Sequence, residues 1–298
     1  MIKSKKILIL GASGNLGLPL YKNLKKSFET IGTYKNNKIQ GLYKFDIIKD
    51  SLVNFIDTHQ ITDLILCQGI INFNKIAVNP SEANKINVIK LINQLKKVIK
   101  SNKKIKITYF SSESIFDGIK GNYTERSKPN PIFLYGKQKL NVERFIIDNF
   151  NQYLVFRVAK VYDSDFNKNT LIIDWIKKLL KNEKILLAKD NIFTPIHIED
   201  FLKFVVKSIS LNLNGIYNIS SNDNFSRHEL FEIFFKQFKK RHHTNSYIEK
   251  TTLDKILKNF TLPKNTSLTN HKIKLKTGIE PKSFKYYSSL ICKKYEQH

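Results

Sequence analysis

The chain has 298 residues, a formal net charge of +26, and a hydrophobic fraction of 41%, which is typical of a globular protein and not of a disordered one. No apolar run approaches the roughly 20 residues that span a bilayer, and the start Met1–Lys6 lacks the cleavage site of a signal peptide. Cys67 and Cys292 are too few for a disulfide framework or a zinc site, so we expect a cytoplasmic protein without membrane insertion or metal.

The first part of the chain alternates short apolar runs with helical patterns. Lys6–Leu10 is typical of a central parallel strand that is buried on both faces. Helical spacing follows at Leu16, Leu20 and Leu24. The next predicted elements are strands near Thr30–Tyr34 and Leu42–Phe45, a helix around Val53–Ile56, a strand at Asp63–Cys67, a helix over Ser81–Lys100 and a strand at Ile105–Phe110. This rhythm indicates βαβ units.

The alternation then continues and loosens. The later predicted elements are a helix near Leu134–Phe150, a strand at Tyr153–Val158 and helices near Thr170–Leu180, Ile198–Ser208 and Arg227–Lys239. We therefore predict an α/β fold with a Rossmann-type doubly wound parallel sheet over residues 1–160. A smaller mixed α/β substrate-binding region is expected over 161–298, with segments at about 190–220 returning to the sheet.

A glycine-rich turn lies between the first strand and the first helix. Gly11 permits the tight turn, Gly14 lets the backbone approach a pyrophosphate, and Gly17 lets the helix pack against the strand. The N-terminus of that helix offers N–H groups and a positive dipole end to phosphates. The turn predicts a dinucleotide site whose contacts are Gly11, Ser13, Gly14, Asn15, Leu16 and Gly17.

The end of the second strand bears on the choice of cofactor. Where an acidic residue would hold the ribose 2′-hydroxyl of NAD, the chain reads Thr33-Tyr34-Lys35. No carboxylate would repel a 2′-phosphate there, and Lys35 could pair with one, so NADP(H) is favoured over NAD(H). Asp46, after the third strand, could accept a hydrogen bond from the adenine amino group.

Tyr135 and Lys139 are four residues apart in a predicted helix, so their side chains share one face. A neighbouring ammonium lowers the pKa of a phenol, which is ordinarily about 10. We therefore expect an acid/base pair, with Lys139 also able to hold the nicotinamide ribose. Ser111 and Ser112 follow the strand that ends in Phe110, at the carboxyl edge where ligands bind in open α/β sheets.

The glycine turn, the strand-end serine and the Tyr-x-x-x-Lys pattern, in this order, resemble the extended short-chain dehydrogenase/reductase family. The segments Phe110–Gly118, Tyr123–Glu125, Pro129–Pro131, Tyr135–Lys137, Thr194–Asp200, Gly215–Asn218 and Leu262–Leu268 are similar to its dTDP-4-dehydrorhamnose reductase branch. The likeness extends from residue 6 to about 290.

That resemblance implies a catalytic set of Ser112, Tyr135 and Lys139, with Ser112 and not Ser111 in the serine position. It also implies cofactor contacts at Asp46, Ile47 and Gly69. The implied activity is NAD(P)H-dependent reduction of a nucleoside-diphosphate 4-keto-6-deoxy sugar for surface-polysaccharide biosynthesis. The expected partner is the nucleotide-sugar substrate, and a two-fold homodimer is the commonest assembly.

The chain departs from the branch near the expected sugar site. Glu113 and Ser114 stand where the branch usually has Asp and Tyr, and Lys160 stands where it usually has tryptophan. A cation in place of an indole should change the sugar that is accepted. The predicted substrate contacts are Glu113, Lys160, Thr194 and His197, the last of which could instead contact phosphate or backbone.

Other functions stay open. A dehydratase would carry a second carboxylate at Ser114, and an epimerase-reductase would use a cysteine, whereas Cys67 lies in a predicted strand. A non-catalytic, NADP-binding regulatory subunit is the alternative from another class, although Ser112, Tyr135 and Lys139 are all present. Specific nucleic-acid binding is not expected, because the charge is spread over lysines without a recognisable motif.

Overall fold

The computed structural model describes residues 5–101, 104–168, 170–257 and 261–295. Its strands are β1 Lys6–Leu10, β2 Glu29–Tyr34, β3 Tyr43–Lys44, β4 Asp63–Leu66, β5 Lys106–Ser112, β6 Tyr153–Val158, β7 Val161–Tyr162, β8 Ile185–Ala188, β9 Ile192–Phe193, β10 Ile196–His197, β11 Gly215–Ile219, β12 Phe225–Ser226 and β13 Ile248–Thr251. Its helices are α1 Gly17–Leu24, α2 Leu52–His59, α3 Phe73–Val78, α4 Pro80–Asn84, α5 Leu91–Lys100, α6 Leu134–Asn149, α7 Leu171–Leu180, α8 Ile198–Ser210, α9 Arg227–Phe238, α10 Leu253–Ile256, α11 His271–Thr277 and α12 Phe284–Tyr295.

A seven-stranded sheet with the order β11-β6-β5-β4-β1-β2-β3 confirms the predicted Rossmann-type fold. The strand pairs β1–β2, β1–β4, β2–β3 and β4–β5 are parallel. The order reverses beside β1, because the chain first builds outward through β2 and β3 and then returns to β4 on the other side. The carboxyl ends of the strands at such a reversal are where open α/β sheets bind ligands.

The central strands are apolar because both of their faces are covered. Ile7, Leu8, Leu64 and Ile107 are fully buried, as expected for parallel strands between two helical layers. Helices α2, α5 and α6 contribute to one core cluster with these strands, through side chains that include Ile56, Leu95 and Ile146.

Two predicted elements differ in detail from the structure. The third strand is only Tyr43–Lys44 and not Leu42–Phe45, and the flanking Leu42 and Phe45 are both buried. The predicted helix over Ser81–Lys100 is helical, but it contains a π-helical turn at Lys85–Lys90 between α4 and α5. Such a turn does not change the hydrophobic spacing enough to be read from a sequence.

The described residues form two compact units that interleave along the chain. The first comprises 1–115, 133–157 and 205–217, and the second comprises 116–132, 158–204 and 218–298. Residues 116–132 thus group with the second unit, although the sequence placed them in the first domain. No helix among the described residues is long and apolar enough to cross a membrane.

The second unit has a core rich in aromatic side chains. Trp175 of α7 packs edge-on against Phe231 of α9, with 5.2 Å between the ring centroids. Phe284 and Tyr287 of α12 complete this core. Three two-stranded pairs, β7–β10, β8–β13 and β9–β12, accompany the helices, so the unit is mixed α/β.

A buried ion pair joins α6 to β6 within the first unit. The Arg157 guanidinium contacts Glu143 Oε1 through Nη2 at 2.7 Å and through Nε at 3.1 Å. The two side chains are only 4% and 1% exposed. Removal of one partner from such a pair leaves a buried charge without its counterion, which is far more costly than losing a surface pair.

We therefore expect Arg157→Met to lower the free energy of unfolding by about 3–5 kcal/mol, and the double variant Glu143→Leu with Arg157→Met to recover most of that loss. Lys178→Met is the matched control, because it breaks the exposed Lys178–Asp174 pair and should cost no more than about 0.5 kcal/mol. Urea denaturation measures all three. Equal losses for Arg157→Met and Lys178→Met would contradict this account.

Candidate functional site

The glycine turn joins β1 to α1 through backbone that only glycine fits. Gly11 has φ of +88°, and its N–H donates to Thr33 Oγ1 at 3.0 Å. A Cβ atom on Gly17 would lie 2.3 Å from the carbonyl oxygen of Gly11, so the helix can begin this close to the strand only with glycine there. Gly14 is exposed, and its N–H closes the turn on Gly11 O at 3.2 Å.

Helix α1 starts beside this turn without a side-chain cap or an acidic residue in its first turn. Leu16 occupies the N-cap position, Asn15 is exposed, and the Ser13 N–H donates to Thr33 O at 3.3 Å. A helix N-terminus with uncapped amides and a positive dipole end suits an anionic group. The local structure therefore fits the pyrophosphate of a dinucleotide.

Lys35 and Asp46 lie together near the carboxyl ends of β2 and β3. Lys35 Nζ is 3.4 Å from Asp46 Oδ2, and Asp46 Oδ1 accepts a hydrogen bond from the Ile48 N–H at 2.9 Å. The pKa of Asp46 is lowered despite some desolvation, because the Ile48 N–H and the Lys35 ammonium both stabilise the carboxylate. The sequence placed these residues in the cofactor site separately and did not predict that they pair.

Ile47 and Gly69 have different surroundings. The Ile47 side chain is 6% exposed and belongs to the core of the first unit, and the Ile47 carbonyl oxygen already accepts a hydrogen bond from Gln94 Nε2 at 3.2 Å. Gly69 has φ of +139° and lines a cavity after β4. That cavity is also lined by Gln68, Tyr109, Tyr135 and Lys139. Gly69 and Lys139, both predicted cofactor contacts, therefore line the same cavity.

Ser112, Glu113 and Tyr135 converge at the end of β5. The Ser112 hydroxyl stabilises the charged form of the Tyr135 phenol and so lowers its pKa, and Ser112 Oγ lies 3.5 Å from Glu113 Oε2. The strand runs through Ser112 and does not end at Phe110, so both serines are buried in the sheet edge. Ser112 contacts the tyrosine, which supports its choice over Ser111.

Burial raises the pKa of Tyr135 above the ordinary value, and the nearby Glu113 carboxylate raises it further, whereas the hydrogen bond with Ser112 lowers it. The sequence interpretation expected Lys139 to lower this pKa, whereas the net shift is upward, because burial and Glu113 dominate. Lys139 Nζ is 5.7 Å from the centroid of the Tyr135 ring. The phenol is therefore held in its protonated form.

The ammonium of Lys139 contacts strand β5. Its Nζ donates to the carbonyl oxygen of Phe110 at 2.8 Å and lies 4.9 Å from the centroid of the Tyr109 ring. Burial lowers the pKa of Lys139 to about 8, because the ammonium loses water that the carbonyl and the ring replace only in part.

Asn87 is a site residue that the sequence analysis missed. Its Oδ1 accepts from the Ile70 N–H at 2.7 Å, and its Nδ2 donates to Ile70 O at 2.9 Å and to Gln138 Oε1 at 2.9 Å. The π-helical turn that contains Asn87 thereby connects the loop after β4 to helix α6. The signal in the sequence is an asparagine in a helix interior, a position that asparagine disfavours unless its side chain has a role.

Two phenylalanine rings also pack near the ring of Tyr135. Phe73 of α3 lies 5.2 Å from the Tyr135 ring and 5.2 Å from Phe133, as measured between centroids. This apolar side accounts for part of the burial of the phenol. Across the described ranges, no group of three or more His, Cys, Asp or Glu side chains could hold a metal ion.

The other predicted substrate residues belong to the second unit. The hydroxyl of Thr194 accepts from the Leu268 N–H at 3.1 Å, which is a structural contact within that unit. Lys160 is exposed, and its backbone oxygen accepts from Ile196 N–H at 2.9 Å. His197 is 3% exposed and stacks on Tyr287, with 3.7 Å between the ring centroids.

Known proteins resemble this chain over most of its length. Methionine adenosyltransferase 2 subunit beta of Xenopus laevis is 26% identical over 238 residues, which cover 77% of this chain and 71% of that protein. The dTDP-4-dehydrorhamnose reductase of Aggregatibacter actinomycetemcomitans is 26% identical over 208 residues, which cover 68% and 66%. The crystal structure of dTDP-4-dehydrorhamnose reductase from Bacillus anthracis in complex with NADP has the same fold, with a TM-score of 0.82, 20% identity and coverage of 98% and 99%.

The family comparison covers both units. The family described as "RmlD substrate binding domain" matches residues 5–296, which include the glycine turn, the Ser112–Tyr135–Lys139 set and the aromatic core of the second unit. On this match, the chain belongs to the RmlD substrate-binding-domain family.

Proposed function

We propose that this protein uses NAD(P)H to reduce a carbonyl, at C4, of a nucleoside-diphosphate 4-keto-6-deoxy sugar, as a step toward surface polysaccharide. The observation that carries the proposal is the convergence of Ser112, Glu113 and Tyr135 at the end of β5, beside the cavity that Tyr135 and Lys139 line. Family membership and the reductase among the relatives support the substrate class.

The cofactor would lie along the carboxyl edge of the sheet in the first unit. Gly11, Gly14 and the start of α1 would hold its pyrophosphate, while Gly69 and Lys139 would face the nicotinamide ribose. When it is bound, the nicotinamide supplies the hydride, and the protein supplies position and electrostatics.

Tyr135 would donate the proton. A carbonyl that accepts a hydride becomes an alkoxide, which needs an acid within hydrogen-bond reach. The raised pKa keeps the Tyr135 phenol protonated at neutral pH, and Ser112 holds the phenol and can donate to the same developing oxygen. Loss of the proton leaves a phenolate, whose charge the Lys139 ammonium can partly balance from the same face of α6.

Glu113 would act on the sugar side of this centre. Its carboxylate lies beside Ser112 and already influences the pKa of Tyr135. Together with Lys160, it replaces residues that are usual in the branch, so we expect a sugar other than the rhamnose precursor. Thr194 is a weaker candidate, because its hydroxyl already accepts the Leu268 N–H, and His197 remains a proposed contact.

The preference for NADP(H) rests on Lys35. Its side chain is 43% exposed and pairs with Asp46 at 3.4 Å, a distance at which the ammonium can still turn toward a 2′-phosphate. When Lys35 turns to the 2′-phosphate, Asp46 Oδ2 loses its ion-pair partner and could then accept a hydrogen bond from the adenine amino group.

A non-catalytic subunit is the second candidate. The observation that favours it is the similarity to methionine adenosyltransferase 2 subunit beta, which extends over 77% of this chain. The decisive experiment monitors oxidation of NADPH and NADH against dTDP-, UDP-, GDP- and CDP-linked 4-keto sugars. Consumption with one of them supports the reductase, whereas tight NADPH binding without consumption supports the subunit.

We expect Tyr135→Phe to lower the turnover number by about 10²–10⁴-fold, because the acid is lost, while NADPH affinity changes by less than about twofold. Tyr153→Phe, in β6 and away from the cavity residues, is the matched control and should keep full turnover. Undiminished turnover of Tyr135→Phe would refute the assigned acid.

Lys139→Met should stabilise the protein below pH 8, on the order of 3 kcal/mol, because the folded state then holds no buried ammonium. The pKa of Lys139 is lowered in the folded state, so the unfolded state binds more protons between pH 8 and 10.5, and wild-type stability gains over that interval. The advantage of Lys139→Met should therefore shrink as the pH rises from 8 to 10, as measured by urea denaturation. Lys137→Met, an exposed site on the same helix, should show no such trend.

Lys35→Ala should weaken NADPH binding about fivefold and leave NADH binding unchanged, since only NADPH carries the 2′-phosphate. Lys38→Ala, at an exposed lysine three residues on, should change neither affinity. Fluorescence titration of both cofactors measures the effect. Equal losses for NADPH and NADH would mean that Lys35 acts elsewhere.

A further inference from the structure

A separate pocket lies within the second unit, lined only by residues of that unit. Its volume is about 340 Å³, which falls in the range of small-molecule sites. Buried His197 and Tyr287 form part of its wall, while exposed Lys293 and Lys294 of α12 lie at its rim. Of its lining residues, His197 is also a proposed substrate contact, whereas none of the proposed cofactor contacts belongs to it.

The hydrogen bonds of the His197 ring determine whether it can act as a donor or an acceptor toward a ligand in the pocket. The Glu199 N–H donates to His197 Nδ1 at 3.3 Å, so Nδ1 is an acceptor and carries no hydrogen. The hydrogen must then be on Nε2, which is buried and has no hydrogen-bond partner among the described residues. Burial lowers the pKa of His197 to about 4, so the ring is neutral at pH 7 and keeps this tautomer. A buried N–H without an acceptor is costly, and a ligand oxygen would relieve that cost.

The charges around the pocket favour an anion. Asp163 and Asp200 are each neutralised by a lysine, since Lys168 contacts Asp163 at 2.5 Å and Lys203 contacts Asp200 at 2.8 Å. Neither of these aspartates lines the pocket, whereas Glu199 does. The two ammoniums on α12, which form no ion pair with any described residue, therefore outweigh it.

We propose that this pocket binds a small organic phosphate. The phosphate oxygens would accept from His197 Nε2–H, the Ser164 hydroxyl and the ammoniums of Lys293 and Lys294, and Ile291 would pack against the organic part. His197 Nε2 is buried in the structure. Binding therefore requires a small movement of the Tyr287 ring, which stacks on the His197 ring.

Phenyl phosphate is the probe, titrated into the full chain with NADPH present so that the glycine turn is occupied. Heteronuclear NMR follows the imidazole signals, and isothermal calorimetry measures the affinity. We expect a dissociation constant of about 1 mM or lower, and a selective shift of the His197 Nε2–H signal. Lys293→Ala with Lys294→Ala should weaken binding about tenfold, while Lys285→Ala, at an exposed lysine of the same helix, should leave it unchanged.

Two results would overturn the proposal. One is binding that shifts no His197 signal, and the other is equal affinity in the double variant and in Lys285→Ala. Both lysines are exposed, so the double variant should fold, and binding to the second unit does not depend on reductase activity. His197→Phe supplies the assignment of the ring signals and should abolish the selective shift.

Discussion

One hydrogen bond positions the candidate catalytic centre: the ammonium of Lys139 donates to the carbonyl oxygen of Phe110 at 2.8 Å. It joins helix α6 to strand β5 at the carboxyl edge of the sheet, and helical spacing then places Tyr135 one turn away, against Ser112. The buried pair of Arg157 and Glu143 holds the same helix about one turn beyond Lys139. The phenol is thus placed by contacts to two neighbouring strands.

This position has an electrostatic cost. Burial raises the pKa of Tyr135 and lowers that of Lys139 to about 8, so the site disfavours both charged forms. For a reductase this bias is useful, because a protonated phenol is the form that can donate a proton to an alkoxide. Functional sites commonly keep such unfavourable groups at the expense of stability.

The two units bear differently on the choice between an enzyme and a non-catalytic subunit. The first contains Ser112, Glu113 and Tyr135 together at the end of β5 and the Asn87 hydrogen bonds, which binding of a cofactor alone would not require. The departures from the usual pattern lie in both units, Glu113 and Ser114 in the first and Lys160 in the second, and the second also contains a histidine whose N–H has no acceptor among the described residues.

The sequence by itself determined the Rossmann-type sheet and the glycine turn, and it predicted Ser112, Tyr135 and Lys139 as the catalytic candidates. Those features depend on local rules: apolar runs form buried strands, Gly17 must lack a Cβ atom beside Gly11, and residues four apart share a helix face. Only the tertiary structure decided the rest. The π-helical turn at Asn87, the Lys35–Asp46 pair, the raised pKa of Tyr135 and the bare Nε2 of His197 all arise from groups distant in sequence. Their burial and their partners are set by packing, which no local pattern encodes.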